Sequence, residues 1–281
     1  MNDNPQDLIR YHDQVRLKNA TLLLAFSGWM DGGDVSTGTV RRLVSVLNAA
    51  PLAEIDPDPF YIQNGPMEIA ALFRPHIEYE DGLLKRIQMP ENRFFVDTSS
   101  NLVLFVGKEP HLRWRVFRDC LFSVCSELGI KRILFVGSFG GGVPHTREPR
   151  LHVSCSHAEL LDEMDKYGVR RTAYSGPGSF VSYLLSQADD ADLRMTSLVA
   201  EIPGYLTGAN PASILAVTRR LATILGISPN LDELRTASTE WELQVSSAVE
   251  QDGELAENVR HLEEEYDNQL LLEDQASSPH T

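Results

Sequence analysis

Two apolar runs, each ending in a glycine cluster, constrain this chain more than any other feature. Thr21-Leu22-Leu23-Leu24-Ala25-Phe26 is followed by Ser27-Gly28-Trp29-Met30-Asp31-Gly32-Gly33, and Arg132-Ile133-Leu134-Phe135-Val136 by Gly137-Ser138-Phe139-Gly140-Gly141-Gly142-Val143. An apolar run without alternation reads as a strand buried on both faces, as in a parallel sheet. Glycines at its carboxyl end let the backbone turn sharply and let a ligand or another chain come close. In open α/β sheets that edge is where ligands bind. Leu102 to Gly107 is another such run, and His111 to Leu128 carries helical periodicity that ends at Gly129. Strand, helix and strand at these lengths make a βαβ unit.

Further elements follow from local signals. A helix is expected from Val35 to about Ala49, and Pro51 and Pro57 then break the pattern. Phe60-Tyr61-Ile62 is a short strand candidate. Ile77 to Tyr79, Leu83 to Gln88 and Phe94 to Val96 read as short antiparallel pieces, with Asp81-Gly82 as a hairpin turn. Gly176-Pro177-Gly178 opens a helix, Leu193 to Ile202 is a late strand, and Asn210-Pro211 starts a helix that stops at Gly226. After Pro229 the composition turns acidic and helical. Leu255, Val259, Leu262, Tyr266 and Leu270 form a narrow stripe among glutamates, suited to folding back on the core or to a subunit contact. The organisation expected is an N-terminal arm over residues 1–20, an α/β domain over 21–231, a helical extension over 232–273 and a disordered tail over 274–281.

The net charge of −15, from 40 acidic and 25 basic residues, repels a phosphate backbone and argues against a nucleic-acid partner. No stretch approaches the roughly 18 apolar residues of a membrane span. Three cysteines without a CxxC pair fit a reducing compartment, and residues Met1 to Lys18 contain no apolar signal core, so the expected location is the cytoplasm. No His/Cys cluster has zinc spacing, and neither a metal nor a cofactor is expected.

The candidate binding residues are those at the strand ends. Gly28, Gly32, Gly33, Gly137, Gly140, Gly141 and Gly142 serve either as an anion-binding nest or as tight structural turns. The second cluster has neither the dinucleotide fingerprint nor a P-loop Lys-Ser/Thr pair. Asp31 orients a ligand or pairs with a basic group at the sheet edge, while Asp34 suits the cap of the following helix. His145, with Thr146, Arg147 and Glu148, has the types needed for acid–base or phosphate work, or for a solvated loop. Glu201 closes an apolar strand. Its pKa rises there unless a partner such as Arg150 or Arg171 meets it. No nucleophile elbow is present and no catalytic residue is assigned.

Four ordered blocks carry a family resemblance. Leu23 to Gly33, Ile133 to Pro144, Gly176-Pro177-Gly178-Ser179, and Glu201-Ile202-Pro203-Gly204-Tyr205 followed by Asn210-Pro211-Ala212 resemble the PAC2 family, named for a proteasome assembly chaperone. The likeness covers about Thr21 to Leu234, and Val259 to Asp267 resembles the bacterial, actinobacterial-type branch. It implies a phosphorylase-like α/β fold: a central mixed, largely parallel sheet flanked by helices, with the acidic helical extension appended. It also implies a non-enzymatic protein acting through protein–protein contacts, as a homo-oligomer or on a partner such as proteasome subunits. Archaeal members dock through a C-terminal hydrophobic-Tyr-x tripeptide. Here the sequence reads Pro279-His280-Thr281, so the resemblance does not extend to that mode. The likeness to purine nucleoside phosphorylases supplies an alternative, a nucleoside- or nucleotide-binding protein or enzyme. In it Gly28, Gly32 and Gly33 face phosphate, Gly137, Gly140 and Gly141 line a base pocket, and Glu201 binds ribose. The methionine that often precedes that glutamate is Ala200 here.

Overall fold

The strand Ala20–Ser27 shows why the apolar runs do not alternate. Leu22, Leu24 and Phe26 lie in one hydrophobic core and Leu23 and Ala25 in a second, so both faces of the strand are covered. The computed structural model describes residues 4–64 and 74–277. Its strands are β1 (Ile9–Tyr11), β2 (Ala20–Ser27), β3 (Ala50–Ile55), β4 (His76–Glu80), β5 (Leu83–Gln88), β6 (Arg93–Asp97), β7 (Leu102–Lys108), β8 (Ile130–Gly141), β9 (Arg150–Cys155), β10 (Arg170–Arg171) and β11 (Arg194–Pro203). Its helices are α1 (Val35–Val46), α2 (Trp114–Glu127), α3 (Ala158–Met164), α4 (Phe180–Gln187), α5 (Pro211–Leu225), α6 (Asp232–Glu250) and α7 (Gly253–Ser277).

Nine strands form one sheet in the order β1-β3-β6-β7-β2-β8-β11-β9-β10, and β4 and β5 form a separate hairpin. The centre, β7-β2-β8-β11, is parallel. The flanks β6, β3 and β1 on one side and β9 on the other run antiparallel to their inner neighbours. α2 and α4 cover one face, where Phe26, Phe105, Phe117, Phe135 and Phe180 interlock. Phe26 lies 5.4 Å from Phe105 and 5.6 Å from Phe180, both edge-on. Such pairs add about 0.5–1.5 kcal/mol each beyond their burial. α1 and α5 cover the other face with Val35, Val40, Leu43, Leu215 and Leu221.

The helix ends follow local chemistry. The Asn210 side chain accepts the Ser213 N–H at 2.9 Å, Pro211 begins α5, and Gly226 ends it at φ 66°. Ser179 caps α4 by accepting from the Ser182 N–H. Among the described residues, no helix is long and apolar enough to cross a membrane.

Several expectations need correction. Residues 9–11 of the N-terminal arm pair with β3, so the arm contributes an edge strand. Phe60 and Tyr61 are buried but belong to no strand; the Tyr61 hydroxyl lies 2.6 Å from Asn92 Oδ1 and 2.7 Å from the Lys108 carbonyl oxygen, sharing its one proton between them, which holds the loop without a ladder. Pro51 does not end structure. It sits in β3 where the register with β6 shifts, a place that tolerates a residue without N–H. The helix α7 continues to Ser277, and residues 278–281 of the expected disordered tail lie outside the described residues.

Candidate functional site

The carboxyl ends of β2, β7, β8 and β11 share one edge of the sheet, where the candidate residues sit. Gly28 follows β2 at φ +131°, a conformation that side chains resist. The three atoms nearest to where its Cβ would lie belong to Glu109, just past β7. Glu109 is a polar clamp that sequence reasoning missed. One carboxylate oxygen accepts the Trp29 N–H at 3.2 Å and the other accepts the Phe180 N–H at 2.7 Å, joining the first glycine loop to the start of α4. Its signal was present: a carboxylate directly after a buried apolar strand, the same pattern that singled out Glu201.

Asp31, not Asp34, caps α1. Asp34 adopts φ 55° and its side chain makes no cap hydrogen bond. Asp31 caps α1 from outside the helix, accepting the Thr37 N–H at 3.0 Å and the Thr37 hydroxyl at 2.8 Å. Burial pushes the Asp31 carboxyl up to about 6, against the lowering effect of the Thr37 bonds. Gly33, at φ +61°, allows the loop to press against α5. A Cβ there would lie 2.9 Å from Asn210 Cβ, and the Gly33 carbonyl accepts the Asn210 N–H at 2.8 Å. Gly32 packs beside Ile202 of β11.

The second glycine cluster is not a turn. β8 runs through it to Gly141, and Gly137, Gly140 and Gly141 pair in parallel register with Val199, Ile202 and Pro203 of β11. None of the three has positive φ. What excludes side chains is close approach. A Cβ on Gly137 would lie 2.6 Å from the Phe135 ring, just as one on Gly107 would meet the ring of Phe105 at 2.6 Å. Each glycine is the socket for the aromatic ring two residues earlier on the same face. Gly140 lies against Gly204, and a Cβ on Gly141 would lie 2.4 Å from Glu201 Cγ.

Glu201 does meet Gly141 and Gly142. One carboxylate oxygen accepts the Gly142 N–H at 2.9 Å. The other lies 3.3 Å from His152 Nε2 and 3.8 Å from the Arg150 guanidinium. The His152 contact, the Gly142 N–H and Arg150 together hold the carboxyl below its ordinary range despite burial. Glu201 is therefore an ionised brace across β8, β9 and β11. A nucleoside taking it as a ribose ligand would have to displace Arg150 and His152.

His145 is buried and fully engaged. Its backbone N–H donates to the Tyr205 hydroxyl at 2.8 Å, Nδ1 lies 2.7 Å from that oxygen, and Nε2 lies 3.1 Å from the Ser246 hydroxyl of α6. Burial lowers its pKa. A cavity of about 180 Å³ beside it is bounded by Pro203, Asn210, Trp241 and Glu242. α7 lies over the neighbouring loop. Arg147 pairs bidentately with Asp267, the Tyr266 hydroxyl donates to the Glu148 carbonyl, and the Arg150 guanidinium stacks 4.4 Å from the Tyr266 ring. The stripe's Val259 and Tyr266 are buried against the chain's own core, and Leu262 reaches toward Gly142.

The candidates thus fall into three groups, with Gly137 apart from them inside β8 against Phe135: Gly28 with Glu109; Asp31, Gly32 and Gly33 against α1, α5 and β11; and Gly140, Gly141, Gly142 and Glu201 together, with His145 on the loop beyond. Asp31 pairs with Ser138 as a single bridge that links the first loop to β8. Among the described residues, no group of three or more His, Cys, Asp or Glu is placed to hold a metal ion.

The model of the PAC2 family matches residues 25–249. The chain is similar to the crystal structure of a PAC2 family protein from Streptomyces avermitilis, with a TM-score of 0.71 and 28% identity over 85% of this chain and 99% of that one. It is similar to a proteasome-assembly chaperone homologue from Mycobacterium tuberculosis at a TM-score of 0.72, again with 28% identity over 85% of this chain and 99% of that one. A Mycobacterium tuberculosis protein of unknown function shares the fold at a TM-score of 0.84 and 20% identity, covering 96% of this chain and 92% of the other. No curated protein matches the chain in sequence.

Proposed function

The chain belongs to the PAC2 family, and from that premise we propose that it is a non-enzymatic protein that works through protein–protein contacts in the cytoplasm. Its role in this reading is to assist assembly of a multisubunit complex, with proteasome subunits as the first candidate partner. The observation that carries the reading is the likeness, at 28% identity, to the proteasome-assembly chaperone homologue. The site supports it from the other side. Glu201, His145 and Asp31 are each engaged by the chain's own groups, which leaves them as braces rather than as reagents. Self-association belongs to the same proposal: Leu270, Leu271 and Leu272 near the end of α7 stand 42%, 60% and 65% exposed.

The contact surface in this reading is the β4–β5 hairpin. Ile77 pairs with Ile87 and Tyr79 with Leu84, and all four are at least 47% exposed. Affinity purification from native cells tests it. The full chain retains a stable multisubunit partner, and Ile77→Asp with Ile87→Asp releases it while the fold persists by circular dichroism. Recovery of no partner, together with unchanged complex assembly after deletion of the gene, would refute the proposal.

A further inference from the structure

A cleft of about 510 Å³ opens where β2 and β7 end, and it is basic on an acidic protein. The topology makes the crevice. After β2 the chain leaves to α1 on one face of the sheet; after β7 it leaves to α2 on the other. Neighbouring parallel strands whose connections part to opposite faces leave an opening outside their carboxyl ends, and that is where α/β proteins bind ligands. Here Ser27 and Lys108 stand at the opening. The hairpin β4–β5 and the start of β6 wall it.

Among the described residues, four arginines and a lysine line the cleft: Arg41 from α1, Arg74, Arg86 from the hairpin, Arg93 from β6 and Lys108 from β7. His76 adds a further basic group, and among the described lining residues Glu91 is the one carboxylate. Three of the ion pairs there, among the described residues, are exposed. Arg93 meets Glu91 at 2.9 Å, while Arg86 and His76 reach Glu78 at 4.0 Å and 3.8 Å. Pairs of this kind are worth at most about 1 kcal/mol, so a ligand's oxygens exchange for them readily. Burial lowers the pKa of Lys108.

Cation number and residue type indicate the ligand class. Arginine forks match phosphate oxygens bidentately, and a cluster this dense needs several negative charges to balance it. The volume lies in the small-molecule range of roughly 300–1,000 Å³. The −15 charge of the whole chain works against a nucleic-acid polymer. Val44, Phe95 and Val106 add apolar surface for the uncharged part of a ligand. We propose that this cleft binds a small metabolite bearing two or more phosphates, a site separate from the Glu201 brace.

Isothermal titration of the full chain with pyrophosphate, tripolyphosphate and ATP tests the proposal, with sulfate at matched ionic strength as the control. Saturable binding is expected, tighter for tripolyphosphate than for pyrophosphate. ATP binding more tightly than tripolyphosphate identifies a ligand that also uses Val44 and Phe95; equal binding identifies the bare polyphosphate group. Arg41→Glu and Arg93→Glu, with unchanged circular dichroism, each weaken binding by at least about tenfold, the scale of one charge-assisted contact. Arg260→Glu on α7, the same charge change far along the sequence, leaves it intact. Absence of binding by all three probes, equal response to sulfate, or equal weakening by Arg260→Glu would overturn the proposal.

Discussion

Replacing Asp31 by Asn isolates the cost of holding a carboxylate at the start of α1. Burial moves this carboxyl from an ordinary 3.8 to about 6. A group whose pKa is higher in the folded state binds its proton more tightly there. Its contribution to stability is therefore fully present below pH 3.8 and is lost as pH rises through 6. A shift of that size corresponds to about 3 kcal/mol between the two limits, at about 1.36 kcal/mol per pKa unit. Asparagine keeps an acceptor for the Thr37 N–H, now 3.0 Å from Asp31 Oδ1, and the Thr37 hydroxyl can turn to accept from the new amide. The cap survives without a charge. Urea unfolding of both proteins at pH values from 4 to 8 reads the effect as a difference, which cancels the other titrating groups common to both. The stability of Asp31→Asn minus that of the parent should grow by about 2.4 kcal/mol from pH 4 to pH 7 and level off above. A flat difference, or one that grows toward acid, would show that the Thr37 bonds outweigh burial and would refute the reasoning.

Two further outcomes concern the brace and the covering helix. Gly141→Ala places a Cβ 2.4 Å from Glu201 Cγ and should cost about 1–3 kcal/mol in denaturant titration; the double variant with Glu201→Ala should lose less than the two single changes added together. Tyr266→Ala removes the ring stacked on Arg150 and the hydroxyl bond to Glu148. It should cost about 2–4 kcal/mol and expose the junction near Asp252 to limited proteolysis, and an unchanged cleavage pattern would contradict the docking of α7.

The elements most legible in the sequence are those with local causes. The run Leu22 to Phe26 reads as a buried strand because every residue faces a core, whichever face it is on. Asp81-Gly82 reads as a hairpin turn because both residues take positive φ, at 50° and 77°. Asn210 and Gly226 mark α5 because the cap and the left-handed stop are made within a few residues. Less legible was Arg150–Cys155, half polar and held between β11 and β10 by partners that lie elsewhere in the chain.

The chemistry of the sheet edge divides in the same way. From its residues alone the chain determined the α/β class, the βαβ unit, the strand ends where its glycines and carboxylates gather, and the family. Composition cannot tell a glycine that turns from one that makes room, because both are simply residues without a Cβ. That distinction came from the pairing of Gly137 to Gly141 with β11, more than 60 positions away, and from the Phe135 ring and the Glu201 carboxylate that occupy the space. The same holds for charge. The sequence sums to an acidic protein, but only folding brings Arg41, Arg93 and Lys108 from three separate segments to one opening. It is also folding that sets Asp31 rather than Asp34 at the helix start, since a side chain can cap only from a backbone conformation that aims it there.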